Sequence, residues 1–290
     1  MPKANDHHAL DHARVAFLGP AGTFTHAAAR EMFGRDARYD EVATIDNVFD
    51  AVRHGSVDFG VVPIENSTEG SVTHAVDALI ENGGEIVIQR ELVLEISQCL
   101  MSFASDLRRI ERVYSHPQAL AQCREWLAKH LPDAELVQAT STAAAAQQAT
   151  LDESSAAIGS RLAAELYALQ VLRDDIHDVA GNSTRFVTLA THDAPPSGLD
   201  KTSVAFAIHD SRGALLRVLE VFDSHGINLT RIESRPTKQR AWDYVFLADL
   251  DGHRTDTNVC TALTILAGRC PMLRILGSFP RQTPVKESTE

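Results

Sequence analysis

Through the first 190 positions, short apolar runs alternate with stretches whose apolar residues recur at helical spacing. Strand-like runs at 14–18, 39–42 and 59–63 precede helical sequence that starts near 25, runs to 54 and starts near 71, respectively. A second group opens at 91, with strands near 92–101, 112–115, 135–138 and 156–158, each followed by helical sequence. The chain then returns through 176–180 to a strand at 185–189. This alternation predicts an α/β fold with a largely parallel sheet. Two such groups joined by a crossing segment predict two lobes with a cleft between them, a common place for a small ligand.

At 191–200 the pattern lapses into Thr-His-Asp-Ala-Pro-Pro-Ser-Gly-Leu-Asp, which reads as a linker. Beyond it the periodicity changes. A β-rich run at 202–208 precedes a helix at 213–222, where Leu215, Leu216, Val218, Leu219 and Phe222 share a face and Gly226 stands at the C′ position. Strands at 227–233 and 241–250 flank a polar turn at 236–240, and a helix at 257–267 and a strand at 272–277 follow. The order βαββαβ predicts a ferredoxin-like module.

Composition sharpens this division. The net charge is −12 over 290 residues, but from Lys201 onward there are 12 basic against 10 acidic residues, so the preceding part carries −14. A net charge of this sign argues against nucleic-acid binding, which needs a basic face. No apolar run approaches the roughly 18 residues of a membrane helix, and the first residues lack the apolar core of a secretory signal, so a cytoplasmic protein is expected. Cys99, Cys123, Cys260 and Cys270 are too scattered for a zinc framework or a disulfide scaffold. His7, His8 and His12 lie in sequence with no strand or helix pattern to hold ligands, which predicts a flexible tail and no metal site.

Several strand-to-helix junctions carry more polar groups than a turn requires. Gly22, Thr23 and Thr25 open the first helix, placing free backbone N–H groups and two hydroxyls at its start. Glu65, Asn66 and Ser67 follow the third strand, while Ser115-His116-Pro117-Gln118 leads into a helix with Pro117 suited to its first turn. Ser141 and Thr142 begin an Ala-rich helix, and Ser160 begins another. Each junction also has a plain reading as a cap or a turn; His116 could be an acid/base or a cap, and Arg185 a counter-ion or a surface residue. Together, junctions on neighbouring strands would point into one crevice and suit a small polyanion.

Five ordered motifs give these segments a family resemblance: GPAGTFTH at 19–26, VVPIENS at 61–67, YSHPQAL at 114–120, AAIGSRLAAELYAL at 156–169 and NSTRF at 182–186. They resemble prephenate dehydratase, and the match runs from about 14 to 279. GALLRVLEVFDSHGINLTRIESRP at 213–236 and WDYVFLADLDGH at 242–253 resemble the regulatory ACT domain of that family. The resemblance implies a two-lobed catalytic domain similar to type 2 periplasmic-binding proteins over 14–190, with lobe one at about 14–90 and 178–190 and lobe two at about 91–177. It further implies the linker at 191–200, the ACT domain at 201–280, and tails at 1–13 and 281–290. No chorismate mutase segment adjoins the matching region, so a monofunctional enzyme is expected.

The implied reaction converts prephenate to phenylpyruvate, water and carbon dioxide without a cofactor or metal. By motif position, Thr184 is the implied catalytic threonine, with Glu65 or Gln118 orienting its network. Gly22, Thr23, Thr25, Asn66, Ser67, His116, Ser141, Thr142, Arg185 and Phe186 fall on substrate-binding segments. Thr25 departs from the family's more frequent Ser but keeps the hydroxyl. The resemblance also implies feedback inhibition by phenylalanine, bound by Gly213, Ala214, Leu215, Asn228, Glu233, Ser234, Arg235 and Pro236 where two ACT domains pair in a homodimer or homotetramer. Arogenate dehydratase shares these motifs and is the rival within the same chemistry. A non-catalytic amino-acid sensor on the same fold is the other alternative, opposed by the intact segment at 182–186.

Overall fold

The computed structural model describes residues 12–236 and 244–282. The tail expected at 1–13 lies outside them except for its last two residues. So do most of the turn at 236–240, the first three residues of the strand expected at 241–250, and most of the tail at 281–290.

The elements run β1 (Arg14–Leu18), α1 (Phe24–Phe33), β2 (Arg38–Val42), α2 (Ile45–Arg53), β3 (Phe59–Asn66), β4 (Gly70–Ser71), α3 (Thr73–Glu81), β5 (Val87–Glu95) and β6 (Cys99–Ser102). Next come β7 (Arg112–Ser115), α4 (Pro117–Gln122), α5 (Arg124–His130), β8 (Glu135–Gln138), α6 (Thr142–Ala149), β9 (Ser155–Gly159), α7 (Arg161–Leu166), β10 (Gln170–Arg173) and β11 (Ser183–Ala190). The chain closes with β12 (Asp200–Ala207), α8 (Ala214–Ser224), β13 (Leu229–Pro236), β14 (Tyr244–Asp251), α9 (Thr257–Ala267) and β15 (Met272–Pro280). Among the described residues, no helix is long and apolar enough to cross a membrane.

The chain forms two compact units. The first comprises the segment up to Ala51, Val57–Val72 and Val93–Phe186; the second comprises Val52–Ser56, Thr73–Leu92 and the segment from Val187 onward. One sheet has the order β2-β1-β3-β11-β5, with β4 paired to β3; β1 runs parallel to both β2 and β3. Another has the order β10-β6-β9-β7-β8 and is mixed: β7 is parallel to β8 and β9, whereas β6 is antiparallel to β9 and β10. Its middle strand, Ser-Ala-Ala-Ile-Gly, is buried along its whole length, as expected of a strand covered on both faces.

The single strand expected at 92–101 is two strands, β5 and β6, separated by Ile96-Ser97-Gln98. The break has a hydrogen-bonding cause. The Ile96 N–H donates to the Asn182 carbonyl at 2.8 Å, and the Gln98 carbonyl accepts from the Ile176 N–H at 3.0 Å. The outgoing crossing is thus tied to the returning one instead of extending a ladder.

In the second unit, β12, α8, β13, β14, α9 and β15 give the expected βαββαβ order in an antiparallel sheet, β13-β14-β12-β15. Its core joins Val204, Phe206, Phe222, Leu250, Leu263 and Leu266, so both helices bury their apolar faces on the sheet. The unit also takes in α3 and the start of β5. Arg274 donates to the Ile80 and Glu81 carbonyls at the end of α3, and Lys201 pairs with Glu91 at 2.8 Å.

Candidate active site

Within the first unit, a cavity of about 390 Å³ receives Thr23 and Thr25 from α1, Asn66 from β3, and Thr184 and Phe186 from β11. Its opposite wall comes from the α4 junction, with His116 and Gln118, and from the α6 junction, with Ser141 and Thr142. Residues of the first turns of α1, α4 and α6 therefore share one wall system, which offers a partial positive potential to an anion.

Each junction is held by a specific local bond. Thr23 caps α1: its Oγ1 accepts from the His26 N–H at 3.3 Å and donates to the Leu18 carbonyl at 3.2 Å. Ser141 caps α6 by accepting from the Ala144 N–H at 2.9 Å. His116 caps α4 through Nδ1, which accepts from the Gln118 N–H at 3.3 Å, so that nitrogen carries no proton. Gly22 has φ +93°, and a Cβ there would stand 3.1 Å from the Ala163 Cα. The close approach lets the Ser160 hydroxyl donate to the Gly22 carbonyl at 2.6 Å, while Tyr167 donates to the Ala21 carbonyl at 2.9 Å. His26 stacks on Phe17 at 4.3 Å, and its Nδ1 accepts from the Gly22 N–H. Burial, with the nearby Arg30 charge second, pushes the His26 imidazole below its ordinary pKa and keeps it neutral.

Asn66 organises the centre. Its Oδ1 accepts from the Thr68 and Glu69 N–H groups at 2.9 and 3.1 Å, which orients the amide. Its Nδ2 then donates to the Thr184 Oγ1 at 2.9 Å and to the Asn182 Oδ1 at 2.9 Å. Because Thr184 Oγ1 is an acceptor in that bond, its own proton is left for another partner. Thr184 itself is 8% exposed. Ser67 pins the same segment from the side: its backbone N–H donates to the Ser183 carbonyl at 2.8 Å and its hydroxyl accepts from the Ser183 N–H at 2.9 Å.

Strand alternation divides the remaining candidates, since successive side chains face opposite sides. Thr184 and Phe186 line the cavity, and Arg185 between them lies 3.9 Å from Glu65, the neighbour of Asn66 on β3. Neither Glu65 nor Arg185 lines the cavity; Ser67 lines an adjoining one. Glu69, Gln98, Gln122 and Asn182 line the cavity without having been singled out from sequence. Gln122 was within reach, because it lies four residues after Gln118 on the same helical face. Glu69 sits in the turn between β3 and β4, held by its N–H to the Asn66 Oδ1, whereas Gln98 and Asn182 depend on the crossing segments.

The second group of candidates lies in the second unit. Gly213 takes φ +74° and caps α8, with Ala214 and Leu215 starting that helix. Asn228 donates to Asp251 at 3.0 Å. On β13, Arg231 pairs with Glu233 at 2.5 Å, while Ser234 and Pro236 are exposed. Arg235 is buried and already engaged: it donates to the Asp77 carboxylate at 2.9 Å and to the Thr73 carbonyl at 3.3 Å, both on α3.

Comparison with known proteins places this geometry. The family model described as prephenate dehydratase matches residues 15–194, and the ACT domain model matches residues 202–266. The bifunctional chorismate mutase/prephenate dehydratase of Aquifex aeolicus is 46% identical over 268 residues, 92% of this chain and 74% of that protein. The prephenate dehydratase of Amycolatopsis methanolica is 38% identical over 281 residues, 96% of this chain and 92% of that protein. Among solved structures, prephenate dehydratase from Arthrobacter aurescens in complex with L-Phe has a TM-score of 0.83 at 40% identity, covering 92% of this chain and 90% of that one. With one family model spanning well over half of the sequence and relatives matched along nearly all of it, this chain belongs to the prephenate dehydratase family.

Proposed function

We infer that this chain catalyses the decarboxylating dehydration of prephenate to phenylpyruvate, water and carbon dioxide, and that the cavity around Thr184 is where it does so. In this reaction the bond between the ring and its carboxylate breaks, and the electron pair enters the ring as the ring hydroxyl departs. The carboxylate leaves as carbon dioxide and the hydroxyl, with one added proton, as water. Aromatisation drives the reaction, so the protein's task is to assist the departing oxygen.

The observation that carries this reading is the bond from Asn66 to the Thr184 oxygen. It leaves the Thr184 proton free for the leaving hydroxyl, and it strengthens that donor, because a hydroxyl that accepts a bond donates better. A donor whose bond strengthens as negative charge grows on the leaving oxygen acts in the transition state rather than on bound substrate. Gln118, on the cavity wall, orients this network; Glu65, paired with Arg185, supports β11 from its other side. Thr25, Ser141 and Thr142 supply hydroxyls for the substrate, while Thr23 caps the start of α1 beside it.

The domain limits that accompany this reading are those expected from sequence: catalysis in 14–190 and an ACT domain in 201–280. A relative solved with L-Phe supports feedback inhibition by phenylalanine. The effector would bind near Gly213–Leu215 and the Asn228 and Glu233–Pro236 segments, where ACT domains of a homodimer or homotetramer pair. Four free cysteines fit a reducing, cytoplasmic setting.

The test is phenylpyruvate formation by purified protein from prephenate and, side by side, from arogenate, with and without phenylalanine. Turnover of prephenate that phenylalanine suppresses is expected. Preferential turnover of arogenate would move the assignment to its rival, and turnover of neither would overturn it.

A further inference from the structure

The cavity around Thr184 has no Lys or Arg among its lining residues. For the reaction inferred above this is chemically sensible, because the ring carboxylate must lose its charge on becoming carbon dioxide. A cation beside it would stabilise the ground state more than the transition state and slow the step. The second carboxylate, on the pyruvyl arm, passes unchanged into the product. A cation that binds the substrate should therefore sit to one side, beyond the reacting ring.

A second cavity in the same unit, of about 650 Å³, adjoins the first and shares Gln122 and Asn182 with it. Arg124, the first residue of α5, lines it. Among the described residues no hydrogen bond or salt bridge to the Arg124 side chain is formed. Two carboxylates share that wall. Asp178 is committed to the backbone, accepting from the Glu125 and Trp126 N–H groups at 2.9 and 3.0 Å, and Glu125 is exposed. Asp178 also holds the returning crossing in place, since its own N–H donates to the Gln122 carbonyl at 2.7 Å.

We propose that Arg124 binds the pyruvyl carboxylate of the substrate, with the ring in the Thr184 cavity and the arm reaching past Gln122 and Asn182 into the second cavity. The proposal rests on the functional reading above. It makes Arg124 a residue of uniform binding: it holds substrate, transition state and product alike, and contributes to KM rather than kcat.

The experiment is steady-state turnover of prephenate by the full-length enzyme and its Arg124→Gln and Arg124→Lys variants at two ionic strengths. Arg124→Gln should raise KM by about ten- to a hundredfold, the range for losing a charge-assisted hydrogen bond, with kcat nearly unchanged. Competitive inhibition by phenylpyruvate, which keeps that carboxylate, should weaken in the same proportion. Arg124→Lys should recover much of the loss, and added salt should raise KM more steeply in the unaltered enzyme than in Arg124→Gln. An unchanged KM in Arg124→Gln, or a fall in kcat alone, would overturn the assignment. Failure of the unaltered enzyme to turn over prephenate would instead remove the functional reading on which it rests.

Discussion

Two strands carry short runs of functional candidates, and they treat them in opposite ways. β11 lies inside its sheet, between β3 and β5, and is buried along nearly all of its length. Its side chains are sorted by face: Thr184 and Phe186 line the cavity, and Arg185 turns away toward Glu65. β13 is the edge of its sheet, with Ile232 and Ser234 exposed and only Arg235 buried. An interior strand can present a finished site, because its neighbours supply every other wall. An edge strand presents backbone groups and apolar side chains that lack a neighbour, as Ile232 shows at 46% exposure. The comparison teaches that the walls of the Thr184 cavity come from one chain, whereas the paired site proposed above at 233–236 would need a second copy to complete it.

Substitutions can break that comparison. The largest effect is expected at Asn66, which ties β3 to the β11 segment. Asn66→Ala should lower kcat roughly a hundredfold, because it removes the bond that polarises the donor and frees the loop at 67–69. Its response to phenylalanine should persist, and loss of that response together with activity would show that the two strands are not separable.

Next comes Asp77→Asn. Arg235 would keep its buried position and the longer pair with Glu233 at 3.8 Å but lose the Asp77 carboxylate, for a stability loss of about 1–3 kcal/mol in urea unfolding. The same substitution should raise the phenylalanine concentration needed for half-inhibition several-fold while leaving uninhibited turnover intact. Unchanged stability and inhibition would mean that the Arg235–Asp77 pair is idle.

A smaller effect is expected at Glu65. Its pair with Arg185 is long at 3.9 Å, and its side chain is 37% exposed, so Glu65→Gln should change kcat by less than about tenfold. A loss as large as that of Asn66→Ala would return Glu65 to the reacting network. The smallest effect concerns pH. The folded protein holds the His26 pKa below the unfolded value of about 6.5, so the unfolded chain takes up its proton first as the pH falls. The stability due to this group is complete above the unfolded value and is lost as the pH falls from there to the folded one. A His26→Gln variant should have a flatter stability profile through that window, and an identical profile would show that the imidazole stays out of the linkage.

Much of the architecture was legible in the sequence because it depends on local periodicity. The helix at 257–267 and the βαββαβ order came from apolar spacing and were borne out. The strand expected at 92–101 is broken where nothing local marks Ile96–Gln98 as a break; the cause is pairing with Asn182 and Ile176, some eighty residues away. The site shows the same division. Thr184, Asn66 and the helix starts stand in motifs at strand ends, where chemistry is expected. Asn182 shares the motif of Thr184, whereas Gln98 reaches the cavity only through the path of a crossing segment. Arg185 faces away for a reason that strand alternation contained from the start, once Thr184 is taken as facing inward.

The most direct test of the account is the turnover of prephenate by Thr184→Val beside Thr184→Ser, both checked for native circular dichroism. If the Thr184 hydroxyl is the donor to the departing oxygen, the valine enzyme should lose roughly 10²–10³-fold in kcat and the serine enzyme should retain most of it. A valine enzyme that turns over prephenate at nearly the unaltered rate would contradict the central claim.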